Sequence, residues 1–139
     1  MIDWEECIDS GFIKKIEVDN ELINALISSS KDRITSNNKL ELDETTSSTK
    51  ISITYEALRE ILEALAIIKE YKIYNHECFY SFLKEICKEE SLAEEFNRFR
   101  IVRNKVNYYA KKISIEKSEA FIKEMINLRI KILNKYFAK

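Results

Sequence analysis

The apolar residues of this chain recur every three to four positions over most of its length, the spacing of one face of an α-helix. Between Thr54 and Tyr71, residues Ala57, Leu58, Ile61, Leu62, Leu65 and Ile68 keep that spacing and predict a long helix with a broad apolar stripe. Upstream, Asp19 stands where an N-cap belongs. Glu21 follows in the first turn, and Leu22, Ala25 and Leu26 share one face, so this helix should run to about Asn38. Asn75 offers a cap for a helix from His76 to about Lys88, with Phe79, Phe82, Leu83 and Ile86 inward. Ser91-Leu-Ala-Glu94 has the form of a capping box, which opens the next helix. Ser114, with Glu116 behind it, opens the last one, where Phe121, Met125, Leu128, Ile132 and Tyr136 face the core.

Three stretches break the pattern. Residues 1–18 read as a short helical leader, an amphipathic piece from Trp4 to Phe12 that stops near Gly11. Residues 39–50 are polar and of low complexity, an exposed loop or the frayed start of a helix. Ile51-Ser-Ile-Thr-Tyr55 alternates as a strand would, but a lone strand has no partner, so it reads as the lead into the next helix. The expected architecture is one all-α domain over residues 1–139, an up-and-down bundle of four to five helices.

Composition agrees with that expectation. Proline is absent and Gly11 is the one glycine, which sets all-β and α/β readings far behind. A hydrophobic fraction of 45% is enough for a real core and argues against disorder. The net charge of -1 provides no global field toward nucleic acid. Locally, Arg98, Arg100, Arg103, Lys105, Lys111 and Lys112 form a basic run, which serves either as a solvated helix face or as a binding face. Cys7, Cys78 and Cys87 make no CxxC pair, and with His76 as the lone histidine no metal site is expected. The cysteines read as reduced, small apolar residues. The N-terminus carries acids where a secretory signal needs bases, and no apolar run reaches membrane-span length. A cytoplasmic protein without cofactor or membrane contact is the expectation.

The stretch from Phe96 to Ile113 carries the candidate chemistry. Phe99, Val102, Val106, Tyr109 and Ile113 cover an arc about 80° wide at helical spacing, the expected core stripe. Arg103 lies at its edge, and Arg100, Asn104, Asn107 and Tyr108 continue round one flank. Arg103, Asn104, Asn107 and Tyr108 are adjacent or three to four apart, so their heads can meet. Two asparagines in mid-helix lower its stability relative to alanine, which points to use of their amides, in a ligand site or in bonds within the bundle or across a dimer. His76, at a helix start, reads as a surface residue, with a role as stand-in base as the alternative.

Arg98-Phe-Arg-Ile-Val-Arg-Asn-Lys-Val-Asn-Tyr-Tyr-Ala110 resembles the signature segment of the HEPN domains, small prokaryotic helical bundles. That signature is an Arg, usually followed by a polar residue such as Asn, then a His after about four to six intervening positions. Arg103-Asn104 matches its first half, with one helix following as in the family, and the likeness spans roughly Thr54 to the C-terminus. Tyr108 stands where the His would fall, and Ala110 where a tyrosine open to modification by a partner nucleotidyltransferase would be. The resemblance implies a homodimer of the toxin–antitoxin or defence-associated kind. Its shared cleft would bind RNA or a nucleotide through Arg100, Arg103, Asn104, Asn107 and Tyr108. It leaves open a metal-independent ribonuclease using Arg103 with Tyr108 or His76, and a non-catalytic partner of a minimal nucleotidyltransferase. A phenol with pKa about 10 takes a proton poorly at neutral pH where an imidazole near 6.5 does well, so the flank is better equipped to bind than to cut. Pairing of Arg103 with an acid of its own chain, such as Glu94 or Glu95, would remove the basis for a site.

Overall fold

A computed structural model describes residues 1–138, most of which are helical. In chain order the elements are α1 (Trp4–Asp9), β1 (Ile13–Lys15), α2 (Asn20–Lys39), α3 (Ser47–Ile68), β2 (Tyr71–Ile73), α4 (Cys78–Ser81), a π-helical turn (Phe82–Ile86), α5 (Glu90–Tyr108) and α6 (Ile115–Tyr136).

Helix α3 is the centre of the molecule, packed by α2, α5, α6 and β2. Its apolar residues almost encircle it, and Ile51, Leu58, Ile61, Leu62 and Leu65 are fully buried. Each such side chain contributes about 1.5–3 kcal/mol by leaving water. The polar groups at the α2–α3–α6 junction are satisfied together. Ser30 Oγ donates to the Ala57 carbonyl at 2.6 Å and accepts from Arg129 Nε at 2.7 Å, while Arg33 meets the buried Glu60 at 2.7 Å.

Two helix starts follow their caps. The Asp19 carboxylate accepts from the Leu22 N–H, and the Ser114 hydroxyl accepts from the Lys117 N–H. On α6, Met125, Leu128 and Ile132 are buried, with Phe121 and Tyr136 half-buried against the core. The expected capping box at Ser91 does not form: α5 starts at Glu90, and Glu94 instead accepts the Tyr80 hydroxyl at 2.5 Å. Nor does α5 reach Ile113. Its Tyr109 and Lys111 N–H groups both turn back to the Lys105 carbonyl, and Ala110 sits in the left-handed region at φ 50°. Tyr109, expected in the core stripe, therefore lies beyond the helix with 72% of its surface exposed.

The polar stretch 39–50 is a hydrogen-bonded turn followed by the first residues of α3. Asp43 accepts from the N–H groups of Thr45 and Thr46. Lys50 is buried and donates to the Asn37 and Leu40 carbonyls at 2.5 and 2.6 Å, closing the C-terminal end of α2.

The leader is only partly helical. Its residues Ile13–Lys15 pair antiparallel with Tyr71–Ile73, Ile13 opposite Ile73, in a ribbon outside an all-α expectation. The Tyr74 N–H donates to the Phe12 carbonyl at 2.8 Å and extends this pairing toward α4. Cys7 and Cys78 are joined in a disulfide, contrary to the expectation of reduced cysteines. Packing of α1 on α4 brings together two residues 71 positions apart, which no local spacing announces. The cysteine argument for an intracellular protein falls with it. Cys87 is the free thiol, and burial pushes its pKa up to about 11. No helix among the described residues is long and apolar enough to cross a membrane.

Candidate functional site

Helix α5 runs alongside the segment that joins β2 to α4, and an open cleft of about 370 Å³ lies between them. Phe12, Tyr74, Asn75, His76 and Glu77 line one side, and Arg100, Arg103, Asn104 and Tyr108 the other.

Arg103 forms the floor. It is only 7% exposed, and its guanidinium carbon lies 4.4 Å from the centre of the Tyr55 ring. Such a face-on contact offsets part of the cost of burying a cation. One terminal nitrogen donates to His76 Nδ1 at 3.0 Å and the other to the Tyr108 hydroxyl at 3.1 Å. None of these partners is a carboxylate. Among the described residues no carboxylate pairs with Arg103 or Arg100. Glu94 is bound by Tyr80, Glu95 faces Lys131 at 3.8 Å, and Glu56 pairs with Arg59 at 2.8 Å. The Nε atoms of both arginines are buried without a partner. Lys50 is likewise buried without an acid, but its ammonium is held by two carbonyls, whereas Arg103 lines an open cleft.

His76 is placed by the turn that carries it. The Asn75 side chain accepts from the Glu77 N–H at 2.9 Å, and the His76 carbonyl accepts from the Phe79 N–H at 3.1 Å. Two residues on, the Cys7–Cys78 disulfide fastens the same segment to α1. Burial pushes the His76 pKa down to about 4, with the cations of Arg59 and Arg103 adding to it. The ring is therefore neutral at pH 7. A guanidinium can only donate, so Nδ1 is the acceptor and Nε2 carries the proton. In this arrangement His76 has no free lone pair with which to take a proton from a ligand.

Four of the five expected ligand residues, Arg100, Arg103, Asn104 and Tyr108, share the cleft. Asn107 does not: its Oδ1 accepts from Ser52 Oγ of α3 at 2.6 Å, a bond within the bundle. The basic run also divides. Arg98 pairs with Glu124 at 2.8 Å, while Lys105, Lys111 and Lys112 border a separate hollow beside Phe121. Sequence periodicity along α5 missed the opposite wall entirely. Phe12, Tyr74, Asn75 and Glu77 lie in short irregular segments, and His76 reaches Arg103 across 27 positions. The one available signal was that His76 is the lone histidine of the chain.

No group of three or more His, Cys, Asp or Glu side chains among the described residues is arranged to hold a metal ion. Comparison with known proteins finds no family model, no curated protein and no solved structure that matches the chain.

Proposed function

We propose that the protein is a HEPN-like helical bundle that binds a phosphate group of RNA or of a nucleotide in the Arg103 cleft. In this reading it acts as a homodimer of the toxin–antitoxin or defence-associated kind. The observation that carries the proposal is the buried Arg103, in ion pair with no carboxylate, which opens onto a cleft beside a neutral His76. An entering phosphate oxygen meets the guanidinium, the Nε2–H of His76, the Tyr108 hydroxyl and the Asn104 amide, all hydrogen-bond donors. Binding rather than bond cleavage fits best. A ribonuclease must take a proton from a ribose 2′-OH, and His76 has its acceptor nitrogen occupied and its pKa at about 4.

The test is retention of a short RNA by the wild type and by Arg103→Ala over a range of salt. A charged hydrogen bond of about 1.5–3 kcal/mol corresponds to a loss of roughly ten- to a hundredfold in affinity. Equal affinity of the two proteins would sink the proposal. Sedimentation at micromolar concentration tests the homodimer, and a monomer there counts against it.

A second reading is favoured by the 3.0 Å contact of Arg103 with an imidazole. It makes the protein a metal-independent endoribonuclease in which an RNA phosphate draws Arg103 off Nδ1 and frees the ring to accept a proton. It predicts RNA cleavage in the presence of a chelator that vanishes in both His76→Ala and Arg103→Ala. A role as non-catalytic partner of a minimal nucleotidyltransferase is tested by whether such an enzyme is encoded beside this reading frame and co-purifies with the chain.

A further inference from the structure

We infer that the rim of the Arg103 cleft is a base-stacking subsite, so that its ligand is a nucleotide unit whose base is unpaired. The inference rests on the phosphate-binding reading and adds what the rest of the cleft selects. Arg103 and His76 occupy the floor, and above them three aromatic side chains line the walls from separate parts of the chain. Phe12 comes from the turn before β1, Tyr74 from the end of β2 and Tyr108 from the end of α5.

Two of these rings are far more exposed than ordinary packing leaves them. Tyr74 is 56% exposed and Tyr108 68%. Apart from Met1, these two and Tyr109 are the most exposed large apolar side chains among the described residues. Two of the three therefore border the cleft that holds the buried Arg103. The cation beside these rings is Arg103 itself, whose guanidinium carbon lies 5.6 Å from the Tyr108 ring centre. Aromatic faces beside cations are what an unpaired base attached to a phosphate requires.

The remaining lining groups fit a base edge better than a second phosphate. Glu77 brings a carboxylate into the cleft, which repels a phosphate but accepts hydrogen bonds from amino or ring N–H groups. Asn75 and Asn104 bring amides that both donate and accept. A volume of about 370 Å³ lies at the small end of ligand sites, the scale of one nucleotide rather than of a duplex. A base held in a duplex has both faces covered by its neighbours and cannot present one to Tyr74. The same unit can be a free nucleotide or one residue of a single strand.

Calorimetric titration of the full chain with inorganic phosphate, ribose 5-phosphate, adenosine 5′-monophosphate, a short single-stranded oligoadenylate and an RNA duplex tests this. Adenosine monophosphate should bind about tenfold tighter than ribose 5-phosphate, toward the low end of what stacking one base provides. Tyr74→Ala should abolish that advantage while leaving ribose 5-phosphate binding intact, and Tyr74→Phe should keep it. Ribose 5-phosphate binding that depends on Arg103 but gains nothing from an added base would overturn the subsite and spare the phosphate site. Duplex binding as tight as single-strand binding would also overturn it. Failure of every ligand would overturn both readings. An oligoadenylate tighter than the mononucleotide identifies a single strand as the source, and the reverse order a free nucleotide; either supports the subsite.

Discussion

As the lone histidine of the chain, His76 gives one resolved ring titration in an NMR spectrum, and Arg103→Gln is the perturbation that probes the cleft floor. In the wild type the midpoint should fall at about 4, because burial disfavours the imidazolium and Arg59 and Arg103 repel it. A donor–acceptor separation of 3.0 Å sets the guanidinium and ring charges close together. At ~4 Å two unit charges repel by about 1 kcal/mol in water and about 4 kcal/mol at an effective dielectric constant near 20. The whole downward shift of His76 is shared by burial, Arg59 and Arg103 in that order, so Arg103 accounts for the smaller part of it and the lower figure applies. At about 1.4 kcal/mol per pH unit, Arg103→Gln should raise the midpoint by about one unit. It stays below 6.5 because burial and Arg59 remain. Long-range ¹⁵N spectra at neutral pH should show the proton on Nε2. A wild-type midpoint near 6.5, or the proton on Nδ1, would refute the donation from Arg103. The linkage to stability has a definite sign. The unfolded chain takes up the proton first, so the stability linked to His76 is full above about 6.5 and drains away as pH falls through about 4.

Four further expectations concern the scaffold. Thiol titration of the unreduced, denatured protein should find one reactive cysteine, Cys87, and three would contradict the Cys7–Cys78 bond. Since that bond spans 71 positions, Cys7→Ser/Cys78→Ser should lower stability by ~4 kcal/mol in the chain-entropy picture, read as a fall in the urea midpoint. Lys50→Ala leaves the Leu40 carbonyl without its donor, and the Asn37 carbonyl with the Leu40 N–H alone, and should destabilise by about 1–3 kcal/mol in the same assay. Ala110→Gly should stabilise by up to ~1 kcal/mol by relieving the left-handed backbone at the end of α5, and a thermal melt that does not rise would count against it.

What the sequence made legible was local. Asp19 and Ser114 cap their helices with their own side chains, and the apolar repeat of α3 is visible because its neighbours cover nearly all of it. Where a tertiary contact competed, local signals misled. Glu94 had the spacing of a capping box, but the Tyr80 hydroxyl binds its carboxylate. The end of α5 carried no glycine, because Ala110 takes the backbone shape that glycine usually supplies, so the periodic reading ran on to Ile113. The β-ribbon has three residues a side, too few to register as alternation, and its partners lie far apart in the chain. The candidate site was half legible for the same reason. Its α5 wall shows at helical spacing, whereas the wall holding His76 and Tyr74 exists only once α5 has docked beside it.

The Ile13–Lys15 strand leaves the first fifteen residues holding the cleft together without belonging to the bundle's main helices. A chain shortened to begin at Ile16 keeps α2, α3, α5 and α6 but loses Phe12, the ribbon and the tether at Cys78 in a single cut. The turn bearing His76 would then be fixed from one side only. Most helical residues lie beyond the cut while the cleft loses a wall, so a circular dichroism spectrum that looks native is no guarantee of an intact site. Tags, fusions and proteases acting at this end therefore act on the cleft, though it lies on a helix ninety residues downstream.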